Sequence, residues 1–291
     1  MLELLALTIS VSGVREALTD AQKHSLPVLR SFVQMAGLLI GKVAAVTGGV
    51  TGIGRAIALG FLREGASVTV NYLGDNASHK HFQSLQEEAP SNARLEGIPG
   101  DVGRKEVGQA IVDESVAEFG GLDVLVANAG VSQFEDFLTL EEDVLDAHLH
   151  TNIKGTFWTT QAAAQRMVKQ GRGGSIIGIS SISAHLGGAQ QVHYTPTKAA
   201  ILSMMQSQAC ALGQYNIRCN ALLPGTTRTA LAAGDLANAK KLKYLETRTP
   251  LGRVANPDDM AGPAIFLASD LSRFVSGAQI LVDGGISISL Q

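Results

Sequence analysis

Cysteine, charge and long apolar runs are all scarce in this 291-residue chain. Its two cysteines, Cys210 and Cys219, are too few for a disulfide framework and form no C-x-x-C motif, so we expect a reduced, cytoplasmic setting and no metal site. Only 17% of the residues are charged and the net charge is −3 without a basic block, which predicts no nucleic-acid partner and no anionic membrane partner. The 32 glycines are clustered rather than periodic, which excludes collagen.

Two stretches lack formal charge for long enough to raise the question of a membrane span. They run from Gly173 to Thr197 and from Ala199 to Ile217, and both contain several Gln, Ser or Asn residues. A membrane-spanning helix needs about 20 mostly apolar residues, and neither stretch meets that condition. We therefore predict that both are buried within protein.

The first 37 residues differ in character from the rest of the chain. Leu2 to Val14 is apolar, but no Lys or Arg precedes it and no A-x-A cleavage site follows it, so a secretory signal is not indicated. Transit peptides are poor in acidic residues, so Glu16 and Asp20 argue against one. We predict that residues 1–37 form a poorly ordered extension and that residues 38–291 form a single domain.

From Lys42 onward, apolar strands alternate with helical patterns. The predicted strands are Val43–Val46, Ala66–Asn71, Ala93–Pro99, Leu122–Ala127, Ser175–Ser180, Ile217–Leu223 and Gln279–Val282. The predicted helices are Ile53–Glu64, Ala77–Ala89, Arg104–Phe119, Glu141–Gln170, Tyr194–Leu212 and Pro257–Ala268. This alternation predicts an α/β fold with a doubly wound, seven-stranded parallel sheet of the Rossmann type. The segment from Thr226 to Arg253 interrupts the alternation and is predicted to be a mobile lid.

A glycine-rich turn joins the first predicted strand to the first predicted helix. Its spacing is T-G-x-x-x-G-x-G, with glycines at Gly48, Gly52 and Gly54. Glycines at such a turn allow close approach of the backbone to a pyrophosphate, and the helix N-terminus presents free N–H groups to it. The turn therefore indicates a dinucleotide site.

A tyrosine, a lysine and a serine form a second candidate group. Tyr194 and Lys198 are four residues apart at the start of a predicted helix, so they share a face. A phenol is a poor base at neutral pH, and a neighbouring ammonium favours the phenolate. Ser181 ends an apolar strand, where parallel sheets place their sites.

Further motifs follow in a fixed order, and together they carry a family resemblance. They are Asp101-Val102, Asn128-Ala129-Gly130, Asn152 and Pro224-Gly225. With the glycine turn and the Ser181, Tyr194 and Lys198 group, this order resembles the short-chain dehydrogenase/reductase family over roughly residues 39 to 285. The resemblance implies four catalytic residues: Tyr194 as general acid/base, Lys198 to lower its pKa, Ser181 to bind the reacting oxygen, and Asn152 to anchor a water relay.

The resemblance also implies an NAD(P)-binding groove. Gly48, Ile53 and Gly54 would contact the phosphates, and Asp101 and Val102 would flank the adenine. The full set of implied cofactor-binding residues is Gly48, Thr51, Gly52, Ile53, Gly54, Asn71, Asp101, Val102, Asn128, Ala129, Gly130, Tyr194, Lys198, Pro224, Gly225, Thr227 and Thr229.

The residues at the end of the second predicted strand indicate whether NAD⁺ or NADP⁺ is preferred. A carboxylate there would repel a 2′-phosphate and an Arg would bind one, but the residues are Asn71, Tyr72 and Leu73. Asn71 can hydrogen-bond a ribose hydroxyl without repelling phosphate. We expect NAD⁺ to be preferred, with measurable NADP⁺ activity; a strong preference for NADP⁺ would instead point to a phosphate-binding base, Arg55 or Lys80.

Within the family, stretches such as GGVTGIGRAIAL, HYTPTKA and IRCNALLPGT are most similar to fungal sugar 1-dehydrogenases that act on L-rhamnose. This implies a small sugar substrate, oxidation at C1 to a lactone, and a homotetramer. The implied substrate-binding residues are Ser181, Ser183, Gln191, Tyr194 and Thr226.

Other functions were weighed against this one. A 3-oxoacyl thioester reductase, or another sugar or polyol dehydrogenase, would share the same fold and catalytic residues. A polar wall at Ser183, Gln191 and Thr226 favours a sugar over an acyl chain. A non-catalytic NAD(P)-binding regulator would need a broken catalytic group, and all four members are present. His79, His81, His185 and His193 are interpreted as solvated or loop histidines rather than metal ligands.

Overall fold

The computed structural model of the protein describes residues 37–290. Apart from Gly37, the predicted N-terminal extension lies outside this range, and its poor order stays a prediction. From Leu38 onward the chain groups into one compact unit by its internal contacts.

The strands are all parallel and belong to one sheet. They run over Val43–Val46 (β1), Ser67–Tyr72 (β2), Arg94–Pro99 (β3), Val124–Ala127 (β4), Gly174–Ile179 (β5), Ile217–Pro224 (β6) and Gln279–Val282 (β7). Their order in the 7-stranded sheet is β3-β2-β1-β4-β5-β6-β7. The order reverses between β1 and β4, and in such sheets ligands bind beyond the carboxyl ends at that point.

Helices cover both faces of the sheet. Their bounds are Gly52–Arg63 (α1), Asn76–Glu88 (α2), Lys105–Phe119 (α3), Glu142–His148 (α4), Thr156–Gln170 (α5), Thr195–Leu212 (α6), Ala233–Ala237 (α7), Ala239–Arg248 (α8) and Ala261–Ala268 (α9). Because helices lie on both sides, every residue of β1, β2 and β4 is buried.

Two apolar layers hold the sheet between the helices. On one face, α1, α2 and α9 bury Phe61, Leu85 and Leu267 against the strands. On the other face, α3 and α5 bury Ile111 and Met167, with α6 beside them. Each fully buried side chain of this size contributes about 1.5–3 kcal/mol. The arrangement confirms the predicted α/β, doubly wound, seven-stranded parallel fold.

The predicted long helix over Glu141–Gln170 is present as one helical run from Glu142 to Gln170, but it is not α-helical throughout. A π-helical segment, Leu149–Gly155, separates α4 from α5. A π turn accommodates one more residue than an α turn and is frequent at functional sites. Apolar periodicity does not reveal such a turn, because the residues on either side of it continue the same helical run.

The segment predicted as a lid is largely helical. It contains α7 and α8, and the side chain of Asn238 caps α8 by accepting from the backbone N–H groups of Lys240 and Lys241. The predicted helix Pro257–Ala268 likewise begins as a 3₁₀ turn over Pro257–Met260 before α9. The mobility of the lid stays a prediction.

Candidate active site

A groove with a cavity volume of about 900 Å³ runs along the carboxyl ends of the central strands. All the predicted site residues except Gly54 and Asn152 line it. The structure therefore brings together side chains from the turn after β1, the ends of β2 and β3, the loop after β4, the start of α6 and the segment after β6.

The glycine turn is held by the loop that follows β4. The Asn128 side-chain amide donates to the carbonyl oxygens of Thr47 (2.9 Å) and Gly48 (3.1 Å). The Thr47 hydroxyl accepts from the backbone N–H groups of Asn128 and Ala129, both at 2.9 Å. Gly48 has a φ of +59°, which favours glycine. Thr47 was not singled out as a site residue, and only these contacts reveal its role.

Gly54 contributes to the turn by close packing rather than by lining the groove. A Cβ at this position would lie 2.3 Å from the Gly48 carbonyl oxygen and 2.4 Å from Asn128 Nδ2. No larger residue allows α1 to approach the turn this closely. The expected phosphate contact at Gly54 stays a prediction.

The N-terminus of α1 fits a diphosphate. Thr51, the residue before the helix, makes no side-chain capping bond, and the first turn contains no acidic residue. The N–H groups of this turn are thus left without a side-chain acceptor or a repelling carboxylate, as an anion site at a helix N-terminus requires. The residues present therefore fit the phosphates of NAD(P)⁺.

Asn71 and Asp101 line the groove where β2 and β3 finish. Asn71 Nδ2 donates to the carbonyl oxygens of Gly100 (2.9 Å) and Ile98 (3.2 Å), so the donor expected for a ribose hydroxyl is already occupied. Asp101 accepts from Gly103 N at 2.9 Å and contacts His150 Nε2 at 2.9 Å. Burial raises the pKa of Asp101, but the donors His150 and Gly103 outweigh it and keep that pKa below its usual value.

Tyr194 and Lys198 occupy the centre of the site. Lys198 is 5% exposed, and its Nζ donates to the Ile179 carbonyl oxygen at 3.1 Å. Burial lowers the pKa of Lys198 to about 8. Burial also raises the pKa of Tyr194 to about 12, opposed by a hydrogen bond with Ser181. In the isolated protein at neutral pH, the phenol therefore keeps its proton and the lysine its charge.

Asn152 belongs to the π-helical segment and is fully buried. Its Oδ1 accepts from Val131 N at 2.8 Å, while its Nδ2 donates to Val131 O and to Thr197 Oγ1, both at 3.0 Å. The side chain ties the loop after β4 to the first turn of α6. Its amide is occupied by protein groups, and its part in a water relay stays a prediction.

Two buried histidines lie beside Tyr194. His193, interpreted as a solvated or loop histidine, lies in the turn before α6 but is not solvated: it is 3% exposed, and its ring lies 4.4 Å from that of His148, centroid to centroid. The His148 ring is in turn 6.4 Å from the Tyr194 ring. Burial lowers the pKa of His148 although the Val144 carbonyl oxygen contacts its Nδ1. Nothing in the sequence around His193, which precedes Tyr194, predicts that its side chain is buried.

The proposed substrate residues lie on the walls of the groove. Ser181 Oγ accepts from Ser183 N at 3.1 Å, and Gln191 and Thr226 also line the cavity. Phe134 and the lid residue Lys241, which were not predicted, line it too. Lys241 Nζ lies 5.0 Å from the centroid of the Phe134 ring, which joins the lid to the loop after β4.

Residues 37–290 contain neither a metal-binding cluster nor a membrane-spanning helix. No three His, Cys, Asp or Glu side chains of this part of the chain gather into a metal-holding group. None of its helices is both long and apolar enough to cross a membrane.

Comparisons with known proteins agree with this geometry. A family model described as "Enoyl-(Acyl carrier protein) reductase" matches residues 48–287. The L-rhamnose-1-dehydrogenase of Scheffersomyces stipitis is 57% identical over 258 residues, covering 88% of this chain and 100% of that protein. The L-rhamnose 1-dehydrogenase (NAD(P)(+)) of Azotobacter vinelandii is 48% identical, covering 87% and 100%. A gluconate 5-dehydrogenase from Burkholderia cenocepacia, solved with NADP and tartrate, superposes with a TM-score of 0.80 at 31% identity, covering 87% and 97%.

Proposed function

The chain belongs to the short-chain dehydrogenase/reductase family, and we propose that it oxidises L-rhamnose at C1 with NAD(P)⁺. Relatives matched over their whole length carry the name of that activity, and one of them is described as using either cofactor. The observation that carries the substrate assignment is that three polar residues, Ser183, Gln191 and Thr226, line the groove.

The reaction balances as a two-electron oxidation. The C1–H bond of the pyranose breaks, the O1–H proton leaves, and a C1=O bond forms to give the lactone. NAD(P)⁺, when bound, accepts the hydride from C1. The protein has to bind the sugar and take up one proton.

The proton acceptor is Tyr194. Its phenolate would take the O1 proton, while Ser181, which hydrogen-bonds Tyr194, would hold the same oxygen. The Lys198 ammonium, buried and lying over the Tyr194 ring, stabilises the phenolate by its charge. Because burial raises the pKa of Tyr194 to about 12, this cationic support is required for the tyrosine to act as a base.

The second candidate function is reduction of a 3-oxoacyl thioester. The matching family model is described by an acyl-carrier-protein activity, and the catalytic residues would be the same. An acyl chain favours an apolar wall, whereas Ser183, Gln191 and Thr226, which all line the groove, have side chains that can form hydrogen bonds. The polar wall therefore supports the sugar.

A substrate panel tests this assignment. We expect L-rhamnose to give the highest kcat/KM among L-rhamnose, L-mannose, which differs only by a 6-hydroxyl, and D-glucose, with a lactone as product. Replacing Gln191 by Leu should lower kcat/KM for the sugar about tenfold and leave cofactor binding unchanged. Faster reduction of an acetoacetyl thioester than oxidation of any aldose would refute the assignment.

We also propose that the enzyme is a cytoplasmic homotetramer. The exposed positions of α6, which include Ser203, Gln206 and Ser207, contain no charged residue, as is typical of a face covered by another subunit. Both Cys210 and Cys219 are free thiols, which suits a reducing compartment. Light scattering should give four times the 30.4-kDa chain mass, and a monomer at micromolar concentration would refute the tetramer.

A further inference from the structure

His150 contacts the candidate adenine-binding carboxylate, although no motif points to it. It lies in the π-helical segment Leu149–Gly155, and its Nε2 is 2.9 Å from Asp101 Oδ2. The two residues are 49 positions apart in the chain. Both side chains are part-exposed, at 39% for His150 and 36% for Asp101, so the pair lies at the edge of the groove rather than in the core.

Gly103 makes room for this contact. A Cβ at residue 103 would lie 2.1 Å from His150 Nε2, so a larger residue would displace the imidazole from its present position against the carboxylate. The Gly103 backbone N–H also donates to Asp101 Oδ1 at 2.9 Å. Each carboxylate oxygen is thus held by a different donor, which fixes the plane of the carboxylate.

The fixed carboxylate can still accept a further hydrogen bond. Each of its oxygens has two lone pairs, and the protein donors account for one on each. Asp101 lines the groove, so the remaining lone pairs are available to a ligand there. A carboxylate accepts only from donors, and the 6-amino group is the donor that distinguishes adenine from hypoxanthine, which has a carbonyl in its place.

We propose that His150 is a positioning residue for cofactor binding, holding Asp101 so that it accepts a hydrogen bond from the adenine 6-amino group. This inference rests on the proposed function only in assuming that a dinucleotide occupies the groove. His150 acts through Asp101 and does not touch the reacting atoms. Its loss should therefore weaken adenine recognition without removing the base chemistry at Tyr194.

The position of His150 separates this role from a merely structural one. Asn152, two residues further on, contacts Val131 and Thr197 on the other side of the same π-helical segment. If His150 only stabilised that segment, its loss would disturb the site for every dinucleotide equally. If His150 positions Asp101, its replacement should reduce the affinity only for dinucleotides that contain the 6-amino group.

The test compares two dinucleotides by calorimetric titration without sugar: NAD⁺ and nicotinamide hypoxanthine dinucleotide, which lacks the amino group. The parent should bind NAD⁺ more tightly. In His150→Leu, the Kd for NAD⁺ should rise about five- to tenfold, while the Kd for the analogue changes less than about twofold. His150→Gln, which retains a donor near the Nε2 position, should keep most of the preference, and Asp101→Ala should abolish it.

Equal weakening of both dinucleotides in His150→Leu, or no preference in the parent, would overturn the proposal. The variants' melting temperatures report whether they are folded, and His150→Gln keeps the comparison available if His150→Leu unfolds. Since no sugar is present, failure of the substrate assignment leaves this result intact. Conversely, loss of the dinucleotide preference would leave L-rhamnose oxidation standing.

Discussion

The Lys198 ammonium lies over the Tyr194 ring, 5.6 Å from its centroid, and donates to the Ile179 carbonyl oxygen. A buried cation at this distance stabilises a nearby phenolate, because little water screens the charge. The carbonyl contact keeps the cation in place. The arrangement fits the cationic support that the proposed tyrosine base needs.

Tyr194→Phe removes the base and is expected to abolish turnover while the cofactor still binds. In the parent, the rate of sugar oxidation should rise with pH into the alkaline range, because the phenolate is the active form and burial raises the pKa of Tyr194. Steady-state rates of the parent from neutral to alkaline pH check the pH dependence, and a cofactor titration of Tyr194→Phe checks that the cofactor still binds. More than a tenth of parental turnover in Tyr194→Phe would contradict the assignment.

His148 should make the protein less stable in acid. Burial lowers its pKa in the folded state, so the unfolded chain binds a proton more readily, and the stability present at neutral pH is lost as pH falls below the ordinary histidine value of about 6.5. The groups facing it are His193, Lys198 and the Val144 carbonyl oxygen. His148→Asn, which retains a donor for that carbonyl, should flatten the fall in melting temperature between about pH 7 and pH 5. One titrating histidine lowers the free energy of unfolding by at most about 1.4 kcal/mol per pH unit, and His148→Asn should remove that contribution.

The matched control for His148 is the exposed His185, replaced by Asn. That change should leave the pH dependence of the melting temperature as in the parent. An identical pH dependence in the parent and in His148→Asn would show that His148 is not the group responsible.

NAD⁺ should be preferred over NADP⁺, because the base nearest the glycine turn is occupied. The Arg55 guanidinium donates to Glu88 Oε2 at 2.9 Å and to carbonyl oxygens including that of Ser84. Glu88→Gln removes its counter-charge and should raise the NADP⁺/NAD⁺ ratio of kcat/KM by about two- to fivefold, with Glu87→Gln as the control. A parental preference for NADP⁺ above tenfold would mean that Arg55 or Lys80 binds the 2′-phosphate.

A protein that starts at Met35 is expected to retain full activity and a similar melting temperature. The residues before it contain no catalytic or binding motif. Activity assays and thermal unfolding of the shortened and full chains compare the two directly. A loss of several degrees would show that Leu2–Val14 packs on the rest of the protein.

Features that depend on neighbouring residues in the chain could be predicted. The alternation of strands and helices, the glycine turn and the pairing of Tyr194 with Lys198 each arise within a few residues, so their physical causes are visible in the sequence. The polar wall of Ser183, Gln191 and Thr226 was reached through family resemblance, and its members do line the groove.

Tertiary structure decided which distant polar groups became partners. His150 meets Asp101 across 49 positions, His193 is buried against His148, and the donor of Asn71 is taken by the end of β3. The π-helical segment, which contains His150 and Asn152, is not visible in the apolar periodicity either. Apolar periodicity reports which face of an element is buried, but a polar side chain takes its partner from whatever the packed elements bring within about 3 Å.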